Sequence, residues 1–190
     1  MGTKSSKQIQ DAVVSFMKDI GEQADRNGLL ETPARFEKQL RECTAGYGQN
    51  PDDYVKLFEN EGFHDLINVS KISFSSLCEH HMLPFFGHID IAYVPADKIL
   101  GLSKFARIVD VFSKRLQVQE RLTQEIASYL SGKLQPDLLM VRIIATHTCM
   151  SSRGVLRPES MTETFAKIGA DTPQNAHYVA HFQRMRHRND

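Results

Sequence analysis

The sequence predicts a single α+β domain. Apolar residues recur at helical spacing near both ends of the chain, and they alternate with polar residues at strand spacing in the middle. No internal repeat, low-complexity stretch or linker interrupts the 190 residues. We therefore expect one domain over residues 1–190, with a helical N-terminal region over about 1–65 and a mixed region over about 66–190.

The N-terminal region is predicted to contain two helices. The first has a stripe of apolar residues at helical spacing, which should pack inward: Ile9, Val13, Phe16, Met17 and Ile20. The second should begin at Thr32 and Pro33, because threonine can cap a helix and proline suits its first turn. Phe36 and Leu40 should face inward, and residues 46–53 should form a loop.

Strands are predicted from Ile67 onward, where apolar and polar residues alternate and Pro95 ends the pattern. Two consecutive helices should follow. The first should run from Ser103, which can cap it, to Leu116, and the second should continue to about Leu130. Gly132 and Pro136 then break the helix.

The last third of the chain is predicted to contain one more strand and a helix. Alternation from Leu139 to Ala145 indicates a strand that runs on to His147 and Cys149. Side chains two apart on a strand point the same way, with Cα atoms roughly 6.5 Å apart. His147 should therefore lie beside Cys149. A final helix is expected from about Gln174.

Two short segments, 78–81 and 146–149, contain the residue types that bind a metal. Cys78 and His81 are three residues apart, so one helical turn would bring thiolate and imidazole to the same side. Cys149 would supply a third ligand. Three protein ligands leave one position of a tetrahedral zinc open for water, as in hydrolytic sites, whereas structural sites use four. Each cysteine alone is more often an inert core thiol, but the joint pattern favours zinc.

Composition excludes several classes of protein. Lys plus Arg and Asp plus Glu number 23 each, so net charge gives no reason to expect a nucleic-acid or membrane-surface partner. The hydrophobic fraction of 41% supports a folded core, and no apolar run is long enough to span a membrane. Three cysteines without a signal segment predict a cytoplasmic protein.

Several motifs, in their order along the chain, resemble the GTP cyclohydrolase I family. The matching stretches are Cys78-Glu79-His80-His81, Gly101-Leu102-Ser103-Lys104 with Arg107-Ile108-Val109, Gln117 to Thr123, and His147 through Cys149 to Arg153-Gly154-Val155. Glu31-Thr32-Pro33 with Arg35, and the spacing of Ser160, Thr162 and Thr164, extend the resemblance from about residue 30 to 170.

The resemblance implies the tunnelling fold, in which antiparallel strands and paired helices assemble into rings. Two pentameric rings stack into a homodecamer, and neighbouring subunits share each active site. The implied reaction converts GTP and water to 7,8-dihydroneopterin triphosphate and formate, with zinc supplying hydroxide for attack on guanine C8. Ring opening, ribose rearrangement and cyclisation follow. Residues 66–190 would form the catalytic region.

The family's functional residues transfer to matching positions here. One Zn²⁺ per subunit would be held by Cys78, His81 and Cys149, and two thiolates favour zinc over magnesium. His80 and His147 would be the catalytic proton carriers. Glu120 would accept hydrogen bonds from the guanine N1–H and 2-amino groups, with Gln119 adding contacts. The triphosphate pocket would comprise Arg35, Ser103, Lys104, Arg107 and Arg153.

Two other interpretations compete with the cyclohydrolase. A noncatalytic, zinc-stabilised nucleotide-binding module would use the same ligands, but it would not need His80, His147 or Glu120. A zinc nucleoside deaminase also uses a histidine, two thiolates and a glutamate, but its signature requires a Pro-Cys-x-x-Cys segment that this chain lacks.

Overall fold

The structure is a computed structural model that describes residues 3–185. It comprises six α-helices and seven β-strands within those residues, and the chain divides into two compact units between Ala45 and Gly46. The helices are α1 Thr3–Asp19, α2 Thr32–Cys43, α3 Leu102–Ser113, α4 Gln119–Leu134, α5 Thr148–Ser151 and α6 Pro173–Arg184. The strands are β1 Leu57–Glu59, β2 Ile67–Cys78, β3 Pro84–Val94, β4 Lys98–Leu100, β5 Leu116–Gln117, β6 Leu138–His147 and β7 Met161–Gly169.

The first unit is a pair of helices, α1 and α2, as predicted. Proline occupies the first turn of α2, but Glu31 is the N-cap residue and no side chain caps the helix, so the predicted threonine cap is wrong. Met17 is buried, whereas Phe16, Ile20 and Phe36 are 62%, 63% and 41% exposed, so their predicted inward packing is wrong. Two helices in contact bury only one stripe each, and these three side chains lie outside it.

The second unit is built on a five-stranded sheet with the strand order β5-β2-β3-β6-β7. Its four long strands are antiparallel, and the short β5 pairs parallel with the end of β2. A separate two-stranded sheet joins β1 and β4. Two 3₁₀ turns, Ala45–Gly48 and Pro51–Tyr54, occupy the predicted loop.

The main core lies between one face of the sheet and the helix pair α3 and α4. Phe105 and Ile126 from these helices pack with Ile89 and Val141 from the strands, and all four are fully buried. The opposite face packs against α6 through a second cluster that includes Phe182. Both faces of β6 are therefore covered. The predicted α+β class is confirmed, and the order β-β-α-α-β-β of long strands and paired helices is that of the tunnelling fold.

Two details of this unit differ from the sequence prediction. Gly101 is the N-cap of α3 and Ser103 lies inside the helix, so the predicted serine cap is wrong. The strand that was expected to continue to Cys149 is β6, and it ends at His147. Cys149 lies in the short helix α5 instead. The chain leaves the strand because the Thr148 hydroxyl donates to the Pro84 carbonyl at 2.6 Å, where a helical turn begins.

Candidate active site

Cys78, His81 and Cys149 meet at one end of the large sheet. Their three potential ligand atoms all lie within 4.8 Å of one another. Cys78 is the last residue of β2, and Cys149 lies in α5 directly after β6, with β3 between the two strands. The antiparallel topology brings these ends together because β2 and β6 point the same way. Two predicted metal-binding segments about seventy residues apart thus form one group.

A tight turn after β2 brings Cys78 and His81 together. The backbone N–H groups of His81 and Met82 both donate to the Cys78 carbonyl, at 3.3 and 2.7 Å, and Met82 has a positive φ of 52°. The Cys78 N–H donates to the Leu83 carbonyl at 2.8 Å and closes the turn. As a result, the Cys78 Sγ lies 3.9 Å from the His81 Nδ1. The predicted single turn between the two ligands is present.

The thiol group of Cys149 is half-buried beside that of Cys78. Burial raises the pKa of the Cys149 thiol, and the neighbouring Cys78 sulfur raises it further, while the positive charge of Arg153 opposes the shift. A bound cation would offset this effect at Cys149, because a coordinating metal deprotonates its thiol ligands outright.

His147 is the last residue of β6, two residues before Cys149 in the chain, and its side chain is held by its neighbours. Its ring stacks on Phe85, with ring centroids 4.6 Å apart and an interplanar angle of 2°, because the two residues are directly paired across β3 and β6. Its Nε2 lies 2.8 Å from the Gln119 Oε1. Burial lowers the pKa of His147, and the carboxylate of Glu120 opposes that shift. His147 is therefore an oriented imidazole at the end of the strand that leads into the candidate ligand Cys149.

The other predicted catalytic residue, His80, is more exposed. Its side chain is 65% exposed, and its Nδ1 lies 3.8 Å from the Cys78 Sγ. Its Nε2 lies 3.9 Å from the Glu79 carboxylate. His80 is thus beside the ligand group without belonging to it.

The first turn of α4 carries Gln119 and Glu120, and the two differ sharply. Glu120 is exposed at the helix N-terminus and near enough to His147 to affect its pKa. Gln119 is only 1% exposed, and its amide bonds to protein atoms at both ends. The predicted base-reading carboxylate is therefore accessible, whereas its glutamine neighbour lies beneath the surface.

The predicted triphosphate-binding residues occupy three places. Ser103, Lys104 and Arg107 lie on α3, and the Arg107 guanidinium lies 5.9 Å from the centre of the Tyr54 ring. Arg153 follows α5 and influences Cys149 electrostatically. Arg35 lies on α2 in the first unit and forms an exposed ion pair with Glu31. Within residues 3–185, no hydrogen bond or ion pair connects the three α3 residues to the ligand group.

Sequence reasoning missed several residues that support this site. Phe85 stacks on His147, Thr123 and Thr164 bond to Gln119, and Arg121 contacts Glu79. The spacing of Thr162 and Thr164 was visible as a motif, but only the strand pairing of β6 with β7 places it beside α4.

A sheet of this topology, with paired helices on one face and a two-thiol, one-imidazole group at the ends of β2 and β6, defines a tunnelling-fold protein with a candidate catalytic metal centre. The chain belongs to the GTP cyclohydrolase I family, whose sequence model matches residues 9–186.

Curated relatives named GTP cyclohydrolase 1 agree with this membership. The chain is 48% identical to the one from Chlorobaculum tepidum over 162 residues, which is 85% of this chain and 72% of the relative. It is 43% identical to the one from Rickettsia felis over 171 residues, which is 89% of this chain and 90% of the relative. Among solved structures, the archaeosine synthase QueF-Like in the apo form aligns with a TM-score of 0.46 and 16% identity, covering 56% of this chain and 96% of that one.

Proposed function

We propose that this protein hydrolyses GTP to 7,8-dihydroneopterin triphosphate and formate. The observation that carries the proposal is the convergence of Cys78, His81 and Cys149 beside His147, in a chain that belongs to the GTP cyclohydrolase I family. The product would serve pterin, tetrahydrofolate or deazaguanine biosynthesis. We also infer that all 190 residues act as one functional domain.

Zinc is the metal that this donor set fits. Two thiolates and an imidazole are soft and borderline ligands, which favour zinc over magnesium or calcium. Zn–S bonds of about 2.3 Å and Zn–N bonds of about 2.0 Å place tetrahedral ligand atoms roughly 3.5–3.8 Å apart. The 3.9 Å between the Cys78 Sγ and the His81 Nδ1 already approaches that spacing. One Zn²⁺ per subunit, when bound, would lower the pKa of water to about 7 and supply hydroxide at neutral pH.

The protein's own residues would then handle the protons. His80 is exposed next to the ligand group, so it can protonate and deprotonate the guanine ring at N7 as the ring opens. His147 is oriented by Phe85 and Gln119, and it would serve the later steps beside the metal. The exposed His80 and the oriented His147 can thus transfer protons at different atoms of the same substrate.

Glu120 would select guanine over adenine. Its carboxylate is exposed in the first turn of α4 and accepts hydrogen bonds only, which matches the N1–H and 2-amino donors of guanine. Adenine lacks both donors and would leave the carboxylate unpaired, so a substantial discrimination is expected. Gln119 is 1% exposed, so its side chain would act through its protein neighbours rather than through the substrate contact that its motif predicts.

Cations without acidic partners would hold the triphosphate. Within residues 3–185, Lys104, Arg107 and Arg153 form no ion pair, although Arg107 lies over Tyr54. Free cations on an accessible surface suit a polyanion, and arginine binds phosphate bidentately. Ser103 would add a hydroxyl contact, and Arg35 would exchange Glu31 for a phosphate.

A ring assembly would bring separate parts of the pocket together. Within the described residues, β7 has no partner along its outer edge, and β2 pairs on its outer side only through Leu77 and Cys78. These edges lie on opposite sides of the sheet and point in opposite directions. A head-to-tail contact between β2 of one copy and β7 of the next would therefore continue the antiparallel sheet and favour a closed ring. Two stacked pentamers with shared sites are the proposed assembly.

No helix within the described residues is both long enough and apolar enough to cross a membrane. The three cysteines are free thiols. We propose a cytoplasmic location, where thiols stay reduced and available to a metal.

The noncatalytic zinc module is not favoured. A structural zinc requires neither an oriented histidine beside its ligands nor an exposed glutamate at the start of the adjacent helix. A metal site with three rather than four protein ligands also matches catalytic zinc.

The proposed function is tested by incubating zinc-loaded protein with GTP and identifying the products by mass spectrometry, with a parallel formate assay. We expect formate and dihydroneopterin triphosphate from the parent. Cys149→Ser should be inactive, whereas Cys43→Ser, which alters a half-buried thiol outside the ligand group, should remain active. Zinc-loaded parent protein that assembles but does not turn over GTP would refute the proposal.

Histidine substitutions test the assigned proton carriers. His80→Ser should retain zinc and lose turnover, and the exposed His64→Ser is the matched control. Normal product formation by His80→Ser would refute the role of His80.

A further inference from the structure

The orientation of the Gln119 side-chain amide is fixed by its surroundings. One end of the amide lies 3.0 Å from the Ile143 carbonyl oxygen, 3.0 Å from the Thr162 carbonyl oxygen and 3.1 Å from the Thr164 Oγ1. Carbonyl oxygens accept hydrogen bonds and never donate, so this end must be the NH₂ group. The oxygen of the amide is therefore the end that faces His147, at 2.8 Å from its Nε2.

Two threonines close this arrangement into a directed ring of hydrogen bonds. The Thr123 hydroxyl lies 2.7 Å from the backbone carbonyl of Gln119, and that carbonyl can only accept. Because the Thr123 proton is used there, the contact of 2.6 Å between the Thr123 and Thr164 hydroxyls must have Thr164 as its donor. Towards the Gln119 amide the Thr164 oxygen can then only accept, and it shares the two N–H groups of that amide with the two carbonyl oxygens. The donor and the acceptor of both threonine hydroxyl contacts are therefore determined.

This order determines which nitrogen of His147 holds the proton. The Gln119 Oε1 has no proton to donate, so the His147 Nε2 must donate to it. A neutral imidazole has one N–H only, and its Nδ1 is then a lone-pair acceptor. Within residues 3–185, the His147 side chain makes no hydrogen bond other than this one.

We propose that Gln119 is a positioning residue that orients the His147 ring and holds it as its Nε2–H tautomer, which leaves Nδ1 as the lone-pair nitrogen of the ring. This role rests on the proposed function. Thr123 and Thr164 support the arrangement by fixing the amide.

Gln119 was predicted from its motif to contact the substrate, and the two roles differ in what a substitution changes. A substrate contact contributes mainly to binding, so its loss raises KM. A positioning residue acts through His147, so its loss lowers kcat and changes the state of the His147 ring. A probe of the ring itself therefore separates the two roles.

The first experiment reads the tautomer directly, without turnover. Zinc-loaded protein labelled with ¹⁵N-histidine is sedimented and analysed by solid-state NMR, and His147 is assigned by comparison with His147→Ala. We expect a protonated Nε2 and an unprotonated Nδ1 in the parent. Gln119→Met, which is similar in size and has no strong acceptor, should give a mixture of tautomers. Gln124→Met removes an exposed glutamine of the same helix and should leave the parent spectrum unchanged.

Kinetics and metal content complete the test. Gln119→Met should lower kcat for GTP by on the order of 100-fold, within the range typical of acid–base catalysis, with a KM change of less than about threefold and full zinc content. If Gln119→Met does not fold, Thr164→Val replaces it, because that substitution preserves shape and removes one acceptor of the amide. It should lower kcat by about threefold to tenfold, with some mixing of tautomers.

Three results would overturn the proposal. These are an Nδ1–H tautomer in the parent, an unchanged His147 spectrum in Gln119→Met, and a raised KM with unchanged kcat. If the parent does not convert GTP but has the expected tautomer, the proposed function fails while the assignment of the hydrogen-bond network stands. If the parent converts GTP but lacks the expected tautomer, the proposed function stands and the proposed role of Gln119 fails.

Discussion

Arg121, in the first turn of α4, donates from its Nη2 to the Glu79 carboxylate at 2.5 Å. The same guanidinium donates to the Gln117 side chain and to the Leu116 carbonyl, each at 2.9 Å. Glu79 stands between Cys78 and His81, so this ion pair ties the turn that carries two candidate zinc ligands to the start of α4. The helix that carries Gln119 and the turn that carries the ligands are thereby held in one arrangement.

Arg121→Gln should weaken zinc binding more than folding. The two side chains are 42% and 34% exposed, so loss of the pair should change the free energy of unfolding by only about 0–1 kcal/mol. Zinc affinity is more sensitive than folding to the loss of a residue that supports the metal ligands, so it should fall by about tenfold or more. Competition with a chromophoric chelator measures that affinity. Arg26→Gln, which removes the exposed pair with Glu22, is the control, and equal zinc affinity in both variants would contradict this support role.

Arg142→Met should destabilise the protein strongly. Arg142 donates to the Asp90 carboxylate at 2.6 and 3.2 Å and to the Phe182 carbonyl at 3.1 Å, and both charged side chains are about 95% buried. Removal of one partner leaves a buried charge, which costs about 3–5 kcal/mol in the free energy of unfolding. Urea denaturation measures the change.

Two further variants define the origin of that loss. Lys167→Met removes an ion pair with the exposed Asp171 and should cost less than about 1 kcal/mol. Arg142→Met combined with Asp90→Leu should regain part of the stability, because neither charge then remains buried alone. A combined variant no more stable than Arg142→Met would show that packing, rather than the unpaired charge, dominates.

Two glycines should respond to alanine in opposite ways. A Cβ at Gly87 would lie 1.9 Å from the Ile144 carbonyl oxygen, so Gly87→Ala must push β3 away from β6 and disturb the pairing that places His147. A Cβ at Gly132 meets nothing within 4 Å, and this exposed helical position should gain roughly 0.5–1 kcal/mol with alanine. Thermal unfolding of both variants tests this contrast. A Gly87→Ala protein as stable as the parent would contradict the close strand contact.

Removal of the metal should abolish turnover and leave the fold intact. The main core consists mostly of apolar side chains between the sheet and α3 and α4, and Cys78 and Cys149 are only two of the many side chains that pack in it. The unfolding midpoint should fall on chelation, because a ligand that binds only the native state stabilises it. Far-UV circular dichroism at 25 °C should stay unchanged. Loss of helical signal on chelation would instead indicate a structural zinc.

Asp52 should contribute to stability in a pH-dependent way. The ammonium of Lys133 and the hydroxyl of Tyr129, at 2.8 and 2.6 Å, hold the pKa of Asp52 below its usual value. A lowered native pKa means that the contribution is present at neutral pH and disappears as pH falls through that pKa. The stability difference between the parent and Asp52→Asn should therefore be largest above about pH 4 and shrink below it. A constant difference from pH 7 to pH 2.5 would contradict the prediction.

The order and type of the elements could be predicted because they depend on local periodicity. The helices that became α3, α4 and α6 and the strands that became β3 and β6 all appear as spacing patterns in the sequence. The metal-ligand candidates could also be found, since cysteine and histidine three residues apart is a chemical signal as well as a structural one.

Other features depend on contacts between distant segments, which local pattern does not contain. The exposure of Phe16 and Phe36 follows from how little surface two helices cover, although both residues fit an apolar stripe. Cys149 fits a strand by alternation, but the bond from Thr148 to Pro84 on β3 ends that strand. The buried pair of Arg142 with Asp90 spans 52 residues of sequence.

The sequence by itself determined the α+β class, the family and the residue types of the candidate site, because these depend on periodicity and on motifs contiguous in the chain. Only the tertiary structure decided that Cys149 joins Cys78 and His81, and that Gln119 faces His147 rather than open solvent. The physical reason is that hydrogen-bond direction and ligand distance depend on strand register and helix packing, which bring together atoms separated by many residues.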